Sequence, residues 1–331
     1  MEFENIGLAV IGAGRWGMNH VKSAHKLLNS NLKLVCDFSE SAREKVSKVS
    51  PLIPFSTDLE DVLIDSTINA VIIATPAETH FEVAKKCLEA GKNVLVEKPI
   101  TLYTEEAAKL IEIAEVQNKK LMVGHILLYH PAIIKIKELI DNGKIGKLQY
   151  IYSNRLNLGA IRSEENILWS FAPHDISIIQ YIAGCNPIEV FSKGSAYVQN
   201  NIEDTTITYL KYPNNVNAHI FVSWLHPFKE QRLVITGNNG MLVFEDSLKN
   251  EKLKFFEKGF RNIDGIVSKF EQDYEVIPFN EKQPLEEEQT HFYNCILQNK
   301  KPLTDGLHAL EVLNILEQAT AKLKNGRITE D

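Results

Sequence analysis

Short apolar runs and segments of helical periodicity alternate along the first part of the chain. The apolar runs at residues 6–11, 70–74 and 94–96 have the near-continuous hydrophobicity of strands that are covered on both faces. Residues 81–90, between the last two runs, place apolar side chains at about helical spacing. This arrangement predicts a β-α-β unit, in which a crossover helix joins two parallel strands.

The second half of the chain instead alternates apolar and polar residues. Such alternation predicts a largely antiparallel sheet with one face against helices and one face free. The predicted strands are residues 148–155, 189–198, 205–212, 218–224, 231–236, 241–245 and 252–256. Residues 238–240 read as a hairpin turn, and residues 286–298 and 307–324 read as closing helices. A broad free face is typical of an oligomer interface, so we expect a homodimer or homotetramer.

A glycine-rich loop follows the first predicted strand and precedes an amphipathic segment. Residues 12–17 read GAGRWG, a GxGxxG pattern in the strand-then-helix context that dinucleotide binding requires. Asp37 ends the second predicted strand, where a carboxylate accepts hydrogen bonds from the adenosine ribose and disfavours a 2′-phosphate. The sequence therefore predicts NAD as the cofactor, although Arg43 is one nearby residue that would suit NADP. The candidate cofactor-binding residues here are Gly12, Gly14, Arg15, Trp16, Gly17 and Asp37.

These patterns predict an α/β fold class. The first part is an N-terminal Rossmann domain, and the second is a C-terminal α/β domain with a large, mostly antiparallel sheet. A length of 331 residues is enough for two domains. We expect an NAD-binding domain at residues 1–124 and a substrate-binding and oligomerisation domain at residues 125–331, with the boundary within 124–148.

Composition and charge narrow the choice of partners and compartment. A net charge of -7 without a long basic run argues against a nucleic-acid or anionic-membrane partner. The cysteines have no CxxC spacing and no nearby histidine array, so we expect free thiols in a reducing compartment and no metal site. The N-terminus lacks the basic region of a signal peptide. We therefore expect a cytoplasmic enzyme.

The end of the β-α-β unit supplies the first candidate for chemistry. In open parallel sheets the ligand crevice lies outside the carboxyl ends of the strands. We therefore expect Thr75, Pro76, Glu97 and Lys98 to line one cleft and to be further cofactor-binding residues. The peptide bond between Lys98 and Pro99 is a candidate for the cis form. The alternative interpretation is a strand-end lysine that only extends to solvent.

Several of these residues together resemble the Gfo/Idh/MocA oxidoreductase family. The resemblance rests on residues 12–17, Asp37, residues 74–76 with His80, residues 97–99, residues 143–146 and residues 302–306, and it covers nearly the whole chain. It implies a Rossmann domain, a mixed α/β domain, and oxidation or reduction of a sugar or polyol at one carbon. It also implies that Lys98 projects into the site and that His80 belongs to the cofactor-binding residues.

The family's other usual catalytic pair is an aspartate four residues before a histidine, on a helix that ends near a glycine. Counting back from Gly184, the histidine position falls on His174 and the aspartate position on Ser170. Family members that act on free inositols or glucose commonly use the aspartate. The serine at position 170 therefore argues against the interpretation of this chain as a plain polyol dehydrogenase. Residues 155–175 instead resemble the nucleotide-sugar branch, with the UDP-N-acetylglucosamine 3-dehydrogenases as the best match.

Oxidation of a secondary alcohol requires a base for the hydroxyl proton and a donor for the developing alkoxide. Pro173 suits a first helical turn, which predicts His174 near a helix N-terminus, where the dipole favours a neutral imidazole. Lys98 would then hold the reacting oxygen or share its proton, and the sequence leaves open which of the two is the base. The alternative for His174 is a cap-region histidine that bonds to backbone.

Candidate substrate contacts surround this segment. Arg155 and Arg162 are the nearest candidates for bidentate recognition of a pyrophosphate. An equally plain interpretation is surface arginines paired with Glu164 and Glu165. Besides Lys98 and His174, the other substrate-binding candidates are Glu165, Asn166 and Trp169, for the sugar or uracil, and His125 and Tyr129, which follow the last Rossmann strand.

The leading hypothesis is an NAD-dependent dehydrogenase that oxidises the 3-hydroxyl of a nucleotide-linked acetamido sugar for later amination. UDP-N-acetylglucosamine is the first candidate substrate. The enzyme alternatives are a 3-ketoreductase on a deoxysugar nucleotide and a free polyol or inositol dehydrogenase. The alternative from another class is an NAD-holding regulatory protein without turnover, which Ser170 makes conceivable.

Overall fold

The computed structural model describes residues 3–159 and 161–324 of the chain, and these residues form two compact units. The first unit combines the residues up to Tyr129 with the later segment Lys282–Leu313. The second unit combines His130–Glu281 with the residues from Asn314 onward. The domain boundary predicted between residues 124 and 125 stays a prediction, because the packing units are not continuous in sequence.

A parallel six-stranded sheet forms the centre of the first unit among the described residues. Its strands are β1 (Leu8–Ile11), β2 (Leu32–Cys36), β3 (Phe55–Ser56), β4 (Ala70–Ile73), β5 (Asn93–Glu97) and β6 (Leu121–Gly124). Their order is β3-β2-β1-β4-β5-β6, as in a doubly wound dinucleotide-binding fold. The strand order reverses between β1 and β4, and this switch point is where such folds bind ligands. The predicted Rossmann domain is confirmed.

Helices join these strands and complete the core of the first unit. They are α1 (Gly17–Leu28), α2 (Ala42–Ser47), α3 (Glu60–Ile64), α4 (His80–Glu89) and α5 (Thr104–Val116), followed late in the chain by α8 (Pro284–Leu297) and the start of α9 (Gly306–Lys324). Helix α8 packs against α1, and its Phe292 and Tyr293 belong to the same buried cluster as the β1 residues. The hydrophobic face of α8 is therefore what brings residues 282–313 back to the first unit.

The second unit contains a mixed sheet covered by a long helix. Its helices are α6 (Pro131–Asp141), α7 (Ile167–Ala183) and the part of α9 from Asn314 onward. Its strands are β7 (Leu148–Leu156), β8 (Glu189–Ser195), β9 (Thr205–Lys211), β10 (Asn217–Ser223), β11 (Glu230–Gly237), β12 (Met241–Glu245), β13 (Leu253–Ile263) and β14 (Ile266–Val276). The order is β14-β13-β12-β11-β7-β10-β9-β8, and within the described part of this second sheet only the β7–β10 pair is parallel. Helix α7 packs on β7, β9 and β10. The opposite face exposes Phe191, Ile207 and Tyr209, so the predicted one-sided sheet is confirmed.

The hairpin of β13 and β14 extends beyond the strand that the sequence pattern predicts at residues 252–256. Asp264 and Gly265 form its turn with φ of 52° and 84°, which is the backbone region that an Asp-Gly pair favours. Most side chains after Phe256 are exposed in this hairpin, so no buried face marks the strands in the sequence. The Asp-Gly turn is the signal that would have identified them.

Candidate active site

The glycine-rich loop between β1 and α1 is shaped by close backbone contacts. Gly12 has a φ of 92°, and a Cβ there would lie 2.7 Å from the carbonyl oxygen of Ala74. A Cβ on Gly17 would lie 2.0 Å from the carbonyl oxygen of Gly12. A Cβ on Gly14, in contrast, would meet no atom within 4 Å. The fold thus requires Gly12 and Gly17, whereas the space beside Gly14 suits the close approach of a pyrophosphate.

Asp37 lies directly beside this loop. Its Oδ2 accepts a hydrogen bond from the backbone N–H of Ala13 at 2.7 Å, and its Oδ1 accepts one from Ser39 at 2.9 Å. These bonds hold the carboxylate at the carboxyl end of β2, where a ribose would be recognised. Arg43 forms an ion pair with Glu40 and lies over the Phe55 ring, so its guanidinium is already engaged. The loop and Asp37 therefore fit NAD.

His80 braces the turns that follow β4 and β5. Its Nδ1 lies 2.7 Å from the carbonyl oxygen of Pro99, and its Nε2 lies 2.9 Å from that of Thr75. The side chain is only 1% exposed, so both nitrogens are used inside the protein. His80 thus holds the backbone at Thr75 and Pro99, next to the exposed Pro76 and to Lys98. The peptide bond between Lys98 and Pro99 is cis, as the sequence allows.

Glu97 connects the glycine-rich loop with the end of β5. It accepts hydrogen bonds from the indole N–H of Trp16 and from the Nε2 of His20, the latter at 2.7 Å, while its Oε2 accepts the backbone N–H of Lys98 at 3.2 Å. Burial acts to raise the pKa of Glu97, but the bonds from His20 and Trp16 outweigh it and lower that pKa. Glu97 is therefore an ionised carboxylate that fixes the backbone next to Lys98.

His125 packs against His308 in the first unit, within electrostatic reach of Lys98. The two imidazole rings meet edge to face with their centroids 5.4 Å apart. Burial, His308 and the charge of Lys98 together lower the pKa of His125 well below its usual value. His125 is thus a neutral imidazole whose pKa is influenced by the charge of the predicted catalytic lysine. Sequence reasoning missed His308, because it comes from the first turn of α9 and no local motif marks it.

Tyr129 occupies the core of the first unit. It is 3% exposed, and its hydroxyl lies 2.9 Å from the Oγ1 of Thr304. Burial raises the pKa of this phenol well above its usual value. The placement favours a structural role for Tyr129 over the predicted substrate contact.

In the second unit, His174 lies in the middle of α7, and the prediction that it sits near a helix N-terminus is wrong. The helix begins at Ile167, with the Asn166 Oδ1 accepting the backbone N–H of Trp169 at 3.2 Å as its N-cap. Pro173 is inside the helix, and His174 lies about 10 Å along the axis from its start. The helix dipole acts only over the first turn, so it cannot set the protonation of His174. Asn166, a good N-cap seven residues before Pro173, outweighed the preference of proline for a first turn.

Arg155 forms a buried ion pair with Asp175, the residue after His174. Its Nε lies 2.8 Å from Oδ2 and its Nη2 lies 3.0 Å from Oδ1, a bidentate arrangement, and the hydroxyl of Ser153 donates to Oδ1 at 2.5 Å. The carboxylate is 1% exposed. The pair ties α7 to β7 and leaves Arg155 poorly placed for the predicted pyrophosphate contact.

The other substrate candidates of this unit are also engaged with protein groups. Arg162 pairs with Glu165 at 3.0 Å, as in the plain interpretation of the sequence, and its side chain is 56% exposed. Asn166 donates to the Oε2 of Glu203 at 2.7 Å. The indole of Trp169 donates to the Oγ1 of Thr320 at 2.9 Å. Among these residues, only the guanidinium of Arg162 is exposed, and its contact with a substrate stays a prediction.

Lys98 belongs to the first unit and His174 to the second, so their joint action stays a prediction. His20, Glu97 and Glu288, which are far apart in sequence, place possible ligand atoms within 4.8 Å of one another. Sequence spacing could not reveal this cluster, and the expectation of no metal stays a prediction. Among the described residues, no helix is both long and apolar enough to cross a bilayer.

This glycine loop, switch point and one-sided second sheet define a class, the NAD-binding oxidoreductases with a Rossmann fold. Residues 6–125 match the "Oxidoreductase family, NAD-binding Rossmann fold", and residues 133–243 match the "GFO/IDH/MocA C-terminal domain". The chain therefore belongs to the Gfo/Idh/MocA family. It is an NAD-dependent oxidoreductase of the sugar dehydrogenase type, which confirms the family, enzyme class and cofactor that the sequence predicts.

Characterised relatives point to two substrate classes. The scyllo-inositol 2-dehydrogenase (NAD(+)) of Bacillus subtilis is 29% identical, over 96% of this chain and 94% of its own length. The UDP-N-acetylglucosamine 3-dehydrogenase of Acidithiobacillus ferrooxidans is 27% identical, over 92% of this chain and 93% of its own. A solved structure of the latter superposes with a TM-score of 0.81, covering 96% of this chain and 97% of that chain at 24% identity, which shows the shared fold.

Proposed function

We propose that this enzyme oxidises the 3-hydroxyl of a nucleotide-linked acetamido sugar to a 3-keto sugar, with UDP-N-acetylglucosamine as the first candidate. The observation that carries the proposal is Ser170, which lies buried on α7 one turn before His174. The family resemblance expects an aspartate there in enzymes that act on free inositols or glucose. The UDP-N-acetylglucosamine 3-dehydrogenase relative, which matches nearly the whole chain, supports the same choice.

When bound, NAD supplies the acceptor for the hydride. The remaining chemistry belongs to side chains of the protein. Lys98 is half-buried at the end of β5, and the bonds of Glu97 and His80 hold its backbone. We assign Lys98 the role of binding the reacting oxygen and stabilising the developing alkoxide. Burial and the charge of Lys98 both disfavour the protonated form of His125, so this imidazole adds no second positive charge near the lysine.

His174 is the second catalytic candidate in this proposal. It is half-buried on α7, and the neighbouring Asp175 is held by Arg155 and Ser153. That anchoring restricts rotation of this part of the helix, so the imidazole has a defined direction. With no carboxylate at position 170 to share the proton, the base is either Lys98 or His174.

A free polyol is the second candidate substrate. The scyllo-inositol 2-dehydrogenase relative favours it, because it matches 96% of this chain at slightly higher identity. The engagement of Arg155 with Asp175 also removes one of the two arginines that the sequence offers for a pyrophosphate. Under the nucleotide-sugar proposal, Arg162 supplies the remaining bidentate contact.

The deciding experiment offers one panel of substrates to the purified full chain with NAD. The panel contains UDP-N-acetylglucosamine, dTDP-sugars, scyllo-inositol and myo-inositol, and the readouts are NADH absorbance and product mass. An aminotransferase with an amino donor removes the keto product and draws the reaction forward. We expect NADH with UDP-N-acetylglucosamine and a product two hydrogens lighter, or its amino derivative. Turnover of an inositol without turnover of any nucleotide sugar would refute the proposal.

The Lys98→Ala variant tests the catalytic assignment on whichever substrate is active. We expect kcat to fall by at least about 100-fold, the scale of a lost acid–base or alkoxide-stabilising group. Lys92→Ala is not a matched control, because Lys92 is buried and caps two backbone carbonyls. Lys109→Ala, on the exposed face of α5, is matched and should keep wild-type kcat. A Lys98→Ala enzyme within a few-fold of wild type would contradict the assignment.

A further inference from the structure

Glu288 on α8 is a fully buried carboxyl group with no hydrogen-bond partner on either oxygen among the described residues. Such a group is unusual, because a buried carboxylate is normally paired or hydrogen-bonded. The titratable groups around it come from three other segments. They are Glu97 at the end of β5, His20 on α1 and Tyr129 after β6, with Lys98 adjoining Glu97.

The hydrogen bonds of His20 show what this cluster can hold. The amide Nε2 of Gln289 lies 3.2 Å from the carbonyl oxygen of His20 and 3.1 Å from its Nδ1. A carbonyl oxygen only accepts, so this atom is the NH2 group, and its second hydrogen is directed at Nδ1. The hydroxyl of Tyr293 donates to the Oε1 of Gln289 at 3.2 Å, which agrees with that orientation. His20 Nδ1 is therefore an acceptor.

It follows that the ring proton of His20 is on Nε2 and is donated to Glu97 at 2.7 Å. A metal ion in this cluster would need the Nε2 lone pair, and the proton would have to move to Nδ1, where the Gln289 amide hydrogen lies. The distances between the ligand atoms of His20, Glu97 and Glu288 would suit a metal ion. The hydrogen bonds of the His20 ring do not suit one, because they leave neither ring nitrogen available as a ligand.

The two carboxyl groups are also in different surroundings. Glu97 receives three donors, from Trp16, His20 and the Lys98 backbone, so its charge is satisfied. Glu288 receives none from the described residues, and its nearest charged neighbour is Glu97 itself. Burial and the Glu97 charge both favour the protonated form of Glu288.

We infer that Glu288 keeps its proton at neutral pH, and that this neutral side chain is a positioning residue that lets ionised Glu97 stay between the glycine-rich loop and Lys98. Two charged carboxylates at this distance would repel, and Glu97 would have to leave its donors. The inference deepens the proposed function, since the positioning role rests on Glu97 as a cofactor contact. The protonation state of Glu288 does not depend on that contact.

Thermal unfolding measures the protonation state without any activity assay. A glutamate in the unfolded chain ionises near pH 4.3, whereas native Glu288 would keep its proton above that pH. At this position the native state then binds more protons than the unfolded state, so the contribution of Glu288 to wild-type stability falls as pH rises. Glu288→Gln cannot ionise, and its melting temperature minus that of wild type should therefore increase steadily from pH 5 to pH 8.

Glu287→Gln, in the same helix, is the matched control. Glu287 is half-buried and forms an ion pair with the exposed Lys282 at 3.0 Å, so the variant should not show an increasing difference from wild type over the same range. An infrared band of a protonated carboxyl group in native wild-type protein at pH 8, which is lost on unfolding in urea, gives the same result without a variant. The inference that Glu288 is protonated would be overturned if the melting temperature of Glu288→Gln minus that of wild type did not change with pH and no such infrared band were found.

NAD affinity tests the positioning role. Glu288→Ala leaves a cavity beside Glu97, and we expect its Kd for NAD to rise at least about five-fold, while Glu288→Gln recovers most of that loss. An equal loss in both variants would overturn the inference, because it would require an ionised or metal-bound Glu288. One equivalent of zinc in wild-type protein that Glu288→Gln lacks would overturn it as well. If the melting result holds but Glu288→Ala binds NAD normally, Glu288 is protonated and the cofactor contact of Glu97 is wrong.

Discussion

Arg155→Met tests whether this arginine holds the second unit together or binds substrate. The sequence suggests a pyrophosphate contact for Arg155, whereas the structure pairs it with Asp175 through bonds of 2.8 and 3.0 Å. Methionine keeps much of the aliphatic length and removes the charge. The substitution would leave the carboxylate of Asp175, which is 1% exposed, with Ser153 as its remaining side-chain donor in the described structure.

The structure sets the size of the expected effect. Removing one partner of a buried ion pair costs about 3–5 kcal/mol, because a charge remains buried without its partner. The 2.5 Å bond from Ser153 stays in place, so the lower end of that range applies. We expect the free energy of unfolding to fall by about 3 kcal/mol. At an unfolding entropy of about 2.1 cal/mol/K per residue, this loss lowers the melting temperature of a 331-residue chain by about 4 °C.

Circular dichroism during heating and in urea measures this loss. Arg162→Met is the matched control, because Arg162 is exposed in its pair with Glu165 and surface pairs contribute about 0–1 kcal/mol. A double variant, Arg155→Met with Asp175→Leu, should recover much of the stability, since it removes the unpaired charge. The single and double variants together isolate the pair from general packing damage.

Kinetics supply the result that would refute this reasoning. If Arg155→Met melts like wild type while its KM for a nucleotide sugar rises ten-fold or more at unchanged kcat, Arg155 binds the substrate. The ion pair would then be dispensable for stability, and the sequence-based role would stand. A loss of stability with an unchanged KM at low temperature would support the structural role.

Two further predictions concern the cofactor site. Gly14→Ala should leave the melting temperature unchanged, because its Cβ meets open space, and it should weaken NAD binding measured by titration. Gly17→Ala should lose about 1–3 kcal/mol of stability, because its Cβ would lie 2.0 Å from a carbonyl oxygen. Equal melting temperatures for the two variants would contradict this account of the loop. Asp37→Ala should lower NAD affinity by about 10- to 100-fold, the value of hydrogen bonds to a charged group, and lower NADP affinity less. An equal loss for both cofactors would mean that Asp37 does not contact the ribose.

The sequence alone determined the structural features that depend on residues close together along the chain. Backbone geometry makes Gly12 and Gly17 necessary, strand burial produces apolar runs, and Asp37 follows β2 directly. The family, the Rossmann domain, the one-sided second sheet and the cofactor all follow from such local signals. The β13–β14 hairpin was only partly predicted, because its exposed strands carry no pattern of burial.

Only the tertiary structure decided which side chains meet across long stretches of sequence. Arg155 pairs with Asp175, Glu288 lies by Glu97, and His308 lies by His125. The position of His174 in mid-helix was settled by the Asn166 cap, against the preference of Pro173 for a first turn. The physical reason is that periodicity and turn chemistry act over a few residues, whereas the partner of a buried charge is set by the packing of whole helices and strands.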